Sequence, residues 1–125
     1  MAVKVVDASA LAALLFDEPE ANAVADRLGD RHLVAPALLS FEIASVCLKK
    51  LRSNPPQREA LLAAFALHAG VPIEIFDVDH ADTLRLAEAF GLSSYDAAYL
   101  WLAQKLAAEL VTLDRRLQTA GAARH

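Results

Sequence analysis

The stretch VKVVDASALAALLF, residues 3–16, decides the fold class of this chain. Its first four residues form an apolar run rich in valine, which is typical of a strand buried on both faces of a parallel sheet. Asp7 closes that run, and the alanine- and leucine-rich residues 9–16 predict a helix. A strand that leads directly into a helix is the first half of the βαβ unit from which parallel sheets are built.

The same alternation continues to the end of the chain. Further strands are predicted at residues 32–36, 73–78 and 109–114. Strands that alternate with helices predict a parallel sheet covered on both faces, and no linker divides residues 1–125 into more than one domain. The remaining predicted helices cover residues 20–28, 37–52, 57–69, 79–90 and 92–107, and a last short helix begins at Asp114.

Composition narrows the class of protein. The chain has 125 residues, of which 56% are hydrophobic, and its formal net charge is −4. That much apolar side chain in a chain of domain size argues for a folded core and against disorder. A negative net charge gives no support to a simple basic nucleic-acid binder, although a bound cation would reverse the charge locally.

Neither secretion nor membrane insertion is indicated by the sequence. The apolar residues near the N-terminus are interrupted by Asp7, which makes a poor signal peptide. The single cysteine, Cys47, lies on a predicted apolar helix and is expected to be a core side chain. One cysteine allows no disulfide within the chain, which fits a reducing cytoplasm. Because the sequence contains no apolar segment that could span a membrane, we also expect no membrane association.

The segment LLSFEIASVCLKKL, residues 38–51, contains an unexpected glutamate. Leu39, Glu42 and Val46 fall on one face of the predicted helix, and that face is otherwise apolar. A charged side chain is almost never fully buried without a partner, because removing it from water costs several kcal/mol. Glu42 is therefore expected either at an exposed edge of the helix or in a polar site.

Three more acids lie at positions where a ligand could bind. Asp7 and Asp114 each follow a strand, and ligands bind beyond the carboxyl ends of strands in open α/β sheets. Asp96 lies in the first turn of its predicted helix. Each also has an ordinary explanation, since Asp7 and Asp114 would cap helices and Asp96 forms a capping-box pattern with Ser93.

The four acids together predict a metal site, because they are expected to converge at one edge of the sheet. Two carboxylates about 5 Å apart repel by roughly 3 kcal/mol at an effective dielectric of about 20. Mg²⁺ and Mn²⁺ are hard ions that take oxygen ligands, and such an ion would activate a water and stabilise charge on a phosphodiester. The hydroxyls of Ser9 and Thr112 flank two of the acids, where they would either orient carboxylates or make local capping bonds.

Four segments carry a resemblance to a known family: VVDASALAALLF, SFEIASVCLKKL, SSYDAAYL and LVTLDRRL. Through these segments the chain resembles, over nearly its whole length, the PIN-domain ribonucleases, and most closely the VapC toxins of bacterial toxin–antitoxin pairs. The resemblance implies a three-layer α/β/α sandwich with a central parallel sheet. It also implies that the catalytic and metal-binding residues are Asp7, Glu42, Asp96 and Asp114, with Ser9 and Thr112 as accessory hydroxyls.

The resemblance further implies an activity and its partners. From it we expect an endoribonuclease that depends on Mg²⁺ or Mn²⁺ and hydrolyses RNA phosphodiester bonds with a metal-activated water. It also leads us to expect a homodimer that a cognate antitoxin protein inhibits.

Basic side chains are the candidate contacts for the RNA backbone. Lys49, Lys50 and Arg52 lie near the end of the helix that carries the glutamate, and Arg115 and Arg116 directly follow the fourth acid. A solvated helix end explains the first group equally well, since lysine favours helix C-termini. Charge balance is the alternative explanation for the two arginines.

A receiver-type signalling domain is the alternative function, because it is a similarly sized α/β protein with a Mg²⁺-binding acidic pocket. Such domains carry paired acids after the first strand, a phosphoacceptor aspartate after the third and a late lysine. This chain has a lone Asp7, no lysine in ELVTLDRR, and Asp77 and Asp79 as candidates for the phosphoacceptor. A catalytically inactive interaction module is a third alternative, and the presence of all four acids argues against it.

Overall fold

Within residues 2–123, which a computed structural model describes, four short strands form one parallel sheet. The strands are β1 (Val3–Val6), β2 (His32–Pro36), β3 (Ile73–Phe76) and β4 (Glu109–Val111), in the spatial order β3-β2-β1-β4. β1 pairs with β2 on one side and with β4 on the other. Because the strands are parallel, their carboxyl ends lie at one edge of the sheet, and β1 ends between two neighbours.

Seven helices connect and cover the strands in the described residues. Two 3₁₀ turns, Pro55–Gln57 and Leu67–Gly70, flank the fourth helix. No helix within residues 2–123 has both the length and the apolar composition that crossing a membrane requires. The helices are α1 (Ala8–Leu15), α2 (Ala21–Leu28), α3 (Leu39–Ser53), α4 (Arg58–Ala66), α5 (His80–Phe90), α6 (Ser94–Leu106) and α7 (Arg115–Ala122).

The helices form a layer on each face of the sheet. In one layer α6 contacts β1, β2 and β4, and it also contacts α5 and α7. In the other layer α1 contacts α2 and α3, and α3 contacts α4. The predicted three-layer α/β/α sandwich with a central parallel sheet is therefore confirmed.

The core lies between these layers and the sheet. Val5 and Val6 of β1 and Val111 of β4 are fully buried, and Val34 of β2 is 1% exposed. The short valine-rich runs thus form strands that are covered on both faces, as their composition predicts. Cys47 is a buried free thiol, so the prediction that it is a core side chain is confirmed.

Two strands end earlier than the sequence predicted, at Phe76 and at Val111. Directly after β4, the hydroxyl of Thr112 accepts a hydrogen bond from the backbone amide of Asp114. After β3, the carboxylate of Asp79 accepts one from the amide of Asp82 and caps α5. After β4 a side chain thus supplies the partner that a neighbouring strand would otherwise provide, and after β3 the chain turns into the capped start of α5.

Gly91 ends α5 in the left-handed region, with φ 65° and ψ 34°. No atom lies within 4 Å of the position that a Cβ would occupy, so substitution by alanine tests the backbone alone. We expect Gly91→Ala to lower the free energy of unfolding by about 1 kcal/mol. The left-handed region costs an L-residue roughly 1–2 kcal/mol, and restriction of the unfolded chain offsets part of that cost. Urea denaturation monitored by circular dichroism measures the change.

Gly70→Ala is the matched control. Gly70 has equally open surroundings, and its φ is not positive. This substitution should change the free energy of unfolding by no more than about 0.5 kcal/mol. Equal losses in the two variants would contradict the assignment of the cost to the left-handed backbone of Gly91.

Candidate active site

Asp7 follows the central strand β1 and is buried, with 4% of its surface exposed. Its Oδ1 accepts hydrogen bonds from the Ala10 amide at 3.0 Å and from the Ser9 hydroxyl at 2.8 Å. Its Oδ2 accepts a third hydrogen bond from the Thr112 hydroxyl. The Ala10 bond makes Asp7 the N-cap of α1. Three donors therefore fix the orientation of this carboxylate.

Ser9 and Thr112 join the loop after β1 to the loop after β4. The Ser9 hydroxyl accepts from the Leu113 amide at 2.9 Å, and the Thr112 hydroxyl accepts from the Asp114 amide at 3.0 Å. Both hydroxyls donate to Asp7, and their oxygens lie 3.3 Å apart. The two residues therefore orient a carboxylate and order the local backbone at the same time.

Asp114 and Asp96 both lie where a helix begins. Oδ1 of Asp114 accepts from the Leu117 amide at 2.8 Å and caps α7. Asp96 lies in the first turn of α6, and its amide donates to the hydroxyl of the N-cap Ser93 at 3.0 Å. Capping is thus present as predicted. The two acids are nevertheless close enough to interact, because the charge of Asp114 raises the pKa of Asp96.

Glu42 lies in the first turn of α3 and is half-buried. Its Oε1 accepts a hydrogen bond of 2.6 Å from the phenol of Tyr99, which reaches across from α6. The explanation of Glu42 as a freely exposed residue therefore does not hold, since a core side chain binds it. Within residues 2–123, no hydrogen bond involves Oε2, the second oxygen of this carboxylate.

Burial raises the pKa of Asp7 above its ordinary value. The hydrogen bonds from Thr112, Ala10 and Ser9 act in the opposite direction, because they favour the charged form. The charge of Asp114 raises the pKa of Asp7 further. The position of Asp7 thus opposes its ionisation, and its three donors offset part of that effect.

Glu42 and Asp96 also have raised pKa values, and burial is the largest cause for each. The charges of Asp96 and Asp7 raise the pKa of Glu42 further, and those of Asp114 and Asp7 raise the pKa of Asp96. The structure therefore connects the four predicted acids electrostatically, because Asp7 and Asp96 act on Glu42 and Asp114 acts on Asp7 and Asp96. Their role as ligands remains a prediction.

The donor atoms of this site suit a hard divalent cation. Four carboxylates and two hydroxyls are all oxygen donors, which Mg²⁺ and Mn²⁺ prefer. In the described part of the chain, no three of the His, Cys, Asp and Glu side chains are arranged to hold a metal ion by themselves. Mg²⁺ commonly binds through one or two carboxylates and keeps several waters. The chemistry of the residues therefore fits a cation that they would hold partly through water.

The two arginines of α7 lie beside the acids. Arg115 and Arg116 begin the helix that Asp114 caps, and both are exposed. Arg116 lowers the pKa of Asp96, and its Nη1 donates to the Gly91 carbonyl at 3.2 Å. Arg116 therefore balances charge in this structure, and contact of either arginine with RNA remains a prediction.

The other predicted RNA contacts lie at the far end of α3. Lys49, Lys50 and Arg52 are separated from Glu42 by about 10–15 Å along the helix axis, given a rise of 1.5 Å per residue. Nζ of Lys50 lies 2.9 Å from Oε2 of Glu18, so this lysine is already paired. The structure therefore brings the acids and the arginines together, but it does not bring these three residues to the same place.

Tyr99 is the side chain that sequence reasoning did not assign to the site. Its position three residues after Asp96, on the same face of α6, predicts a core residue, and its ring is indeed buried. The sequence pattern contains no signal that its hydroxyl binds Glu42, because the two residues come from different helices. Burial raises the pKa of the phenol, so Tyr99 is a neutral donor in this bond.

A four-stranded parallel sheet between two helical layers, with four carboxylates near the carboxyl edge, is the arrangement expected of a PIN-domain protein. The family model for the PIN domain matches residues 4–123. The chain therefore belongs to the PIN domain family, and the predicted family is confirmed. This match gives no support to the alternative of a receiver-type signalling domain.

The relatives that this chain resembles include VapC proteins. It is 30% identical over 120 residues to Ribonuclease VapC3 of Pyrobaculum aerophilum, a match that covers 90% of each chain. The crystal structure of PAE2754 from the same organism matches with a TM-score of 0.75 and 24% identity, over 95% of this chain and 84% of that one. Mycobacterium tuberculosis VapC20, described as a Sarcin-Ricin loop cleaving toxin, matches with a TM-score of 0.66 and 16% identity, over 94% and 95%. At these identities the two structures support the fold alone.

Asp96→Asn tests the repulsion among the acids. In EDTA at pH 7, we expect the variant to melt at the same temperature as the parent or higher, because asparagine removes a charge that Asp7 and Asp114 oppose. The folded-state pKa of Asp96 lies above 3.8, so its ionisation removes stability as the pH rises from 3.8 through the raised value. The variant should lose less stability over that interval. Differential scanning fluorimetry across the pH range measures both effects.

Asp26→Asn is the control for this experiment, because Asp26 is an exposed aspartate on α2. It should reproduce the pH profile of the parent. An Asp96→Asn variant that melts several degrees below the parent in EDTA would show that its position at the start of α6 outweighs the repulsion.

Proposed function

We propose that this PIN domain is a metal-dependent endoribonuclease and the toxin of a toxin–antitoxin pair, acting in the cytoplasm as a single domain of residues 1–125. The observation that carries the proposal is the shared electrostatic environment of Asp7, Glu42, Asp96 and Asp114 near the carboxyl edge of the sheet. Repulsion and burial oppose the ionisation of Asp7, Glu42 and Asp96, so a cation would relieve a cost that the folded chain otherwise carries.

The four carboxylates are the residues that would hold Mg²⁺ or Mn²⁺. When bound, such an ion supplies an activated water and stabilises negative charge on the phosphodiester. Asp7 is oriented by three donors, Ser9, Ala10 and Thr112. Ser9 and Thr112 act through Asp7, and they keep both of its oxygens directed as the structure shows.

RNA is the substrate that the neighbouring groups and the relatives favour. Arg115 and Arg116 stand beside the acids and provide charge for the phosphates of an incoming strand. A relative that is 30% identical over nearly the whole chain is named a ribonuclease. Lys49, Lys50 and Arg52 would contact only a strand long enough to reach the far end of α3.

A protein partner is favoured by the surface around the acids. Phe41, Tyr95 and Leu113 are exposed by 81%, 63% and 36%, and each directly precedes one of the four acids in the chain. An antitoxin that places an arginine or lysine among the carboxylates would bury these apolar side chains beside it. We also propose a homodimer, and Leu67 and Leu84 are exposed apolar side chains that such an interface could bury.

The proposed reaction predicts cleavage of RNA that requires a divalent metal. The purified protein should cut single-stranded or structured RNA with Mg²⁺ or Mn²⁺, leave a 5′-phosphate and a 3′-hydroxyl, and stop in EDTA. Asp7→Asn should reduce the rate on the order of 100-fold or more, since the residue lies at the centre of the charged site. Gel analysis with end-group labelling measures rate and product.

Asp26→Asn again serves as the matched surface substitution and should cleave at the rate of the parent. Full activity in EDTA, or products that end in a 2′,3′-cyclic phosphate, would exclude the proposed mechanism. Either result would leave membership of the PIN domain family untouched.

The toxin assignment predicts arrested growth. Induced expression of the parent chain in bacteria should halt growth, because cleaved RNA stops protein synthesis, whereas Asp7→Asn at equal soluble level should not. Co-expression of the product of a small neighbouring gene should restore growth if that gene encodes the antitoxin. Harmless expression of active, soluble enzyme would count against the toxin assignment while leaving the nuclease chemistry intact. Growth curves with a parallel measurement of soluble protein separate these outcomes.

A further inference from the structure

Tyr99 connects the core of the protein to the acidic site. It is the largest fully buried side chain in residues 2–123, with 1% of its surface exposed. Its hydroxyl donates to Oε1 of Glu42 at 2.6 Å, although the two residues are 57 positions apart in the chain. The ring therefore belongs to the hydrophobic core, while its single polar atom lies against a carboxylate of the proposed site.

A buried phenol needs a hydrogen-bond partner, and any carbonyl of the core would satisfy that need. The partner in this structure is instead Glu42, the only glutamate among the four acids. Three rotatable bonds separate its carboxylate from the backbone, whereas an aspartate has two. The charges of Asp96 and Asp7 oppose Glu42 in its present position. Without a donor from the core, rotation toward solvent would relieve that repulsion.

The position of Tyr99 on α6 determines what this bond can do. Asp96 lies three residues earlier on the same helix, so α6 carries one acid of the site and the donor that holds another. The bond uses Oε1 of Glu42, and no hydrogen bond within residues 2–123 uses Oε2. One oxygen is thus fixed to the core while the other stays available on a carboxylate of fixed orientation.

We propose that Tyr99 is a positioning residue of the active site, whose hydroxyl holds Glu42 so that its second oxygen can serve a divalent cation. This inference rests on the proposed function, since it concerns the same four acids. Tyr99 touches neither RNA nor metal in this scheme, and it acts only through Glu42. Groups that orient metal ligands from behind typically change metal affinity or activity 10–100-fold when removed.

Tyr99→Phe tests the inference because it keeps the buried ring and removes only the hydroxyl. Differential scanning fluorimetry should show that the variant needs about 10-fold more Mn²⁺ than the parent for half of its maximal rise in melting temperature. The rate of RNA cleavage should fall by about 10–100-fold, with KM for RNA within about twofold of the parent. Asp26→Asn, the exposed substitution on α2, is the control, because it changes a side chain that lies outside the proposed site, and it should match the parent in both measurements.

Two further variants separate positioning from packing. Leu102→Val trims a buried side chain of α6 and should lower the melting temperature in EDTA while leaving the response to Mn²⁺ unchanged. Because Tyr99 acts through Glu42, the double variant Tyr99→Phe/Glu42→Gln should respond to Mn²⁺ as Glu42→Gln alone does.

These measurements decide whether Tyr99 positions Glu42 or only fills the core. A Tyr99→Phe protein with the Mn²⁺ response and cleavage rate of the parent would overturn the inference. So would a double variant that responds to Mn²⁺ more weakly than Glu42→Gln, because the hydroxyl would then act independently of that carboxylate. A parent that shows neither a response to Mn²⁺ nor cleavage would overturn the proposed function itself, and with it the purpose assigned to Tyr99. A parent that cleaves RNA, beside an unaffected Tyr99→Phe, would reject the positioning role alone.

Discussion

The burial of one carboxylate, that of Asp7, is the constraint on which the rest of the site depends. β1 lies inside the sheet and is covered on both faces, so the residue that follows it cannot reach bulk water easily. A charged group in such a place must be hydrogen-bonded or neutralised. The fold supplies three donors, from Ala10, Ser9 and Thr112. Ser9 and Thr112 join the end of β1 to the loop after β4, so the same hydrogen bonds orient Asp7 and hold the two loops together.

Those donors offset the burial of Asp7 only in part, because its pKa remains raised. Glu42 and Asp96 are in the same condition, although each is less buried. In the absence of a cation, the protein therefore carries a cluster of acids that its own surroundings do not fully stabilise. Residues selected for stability alone would be amides or apolar side chains at these positions, as buried charges are often replaced without loss. The proposed metal site would explain why carboxylates occupy these positions.

The fold was predictable from the sequence because its signals are local. Short runs of three to five mostly apolar residues marked the strands, and the acids that follow β1 and β4 marked the sheet edge. The contacts that complete the site were not predictable, because they join residues remote in sequence. Periodicity showed that Tyr99 faces the core, but not that its hydroxyl meets Glu42 of another helix. The same limit applies to Lys50, whose ion pair with Glu18 depends on how α3 lies beside the loop after α1.

Helix capping and ligand binding are two explanations of the acids, and the structure shows that capping does not exclude the proposed ligand role. Asp7 and Asp114 are N-caps of α1 and α7, and Asp96 and Glu42 lie in the first turns of α6 and α3. A helix N-terminus carries a partial positive charge and unpaired amides, so it favours a carboxylate nearby. In a parallel sheet the chain leaves each strand at the same edge, so α1, α3 and α7, which follow β1, β2 and β4, begin there. α6 instead follows α5, and the effect of Asp7 and Asp114 on the pKa of Asp96 shows that it begins nearby. Four helix N-termini at one edge let four carboxylates gather where they would otherwise repel one another too strongly. The helix N-termini thus offset part of the repulsion among the acids, by direct capping at Asp7 and Asp114 and by proximity at Asp96 and Glu42.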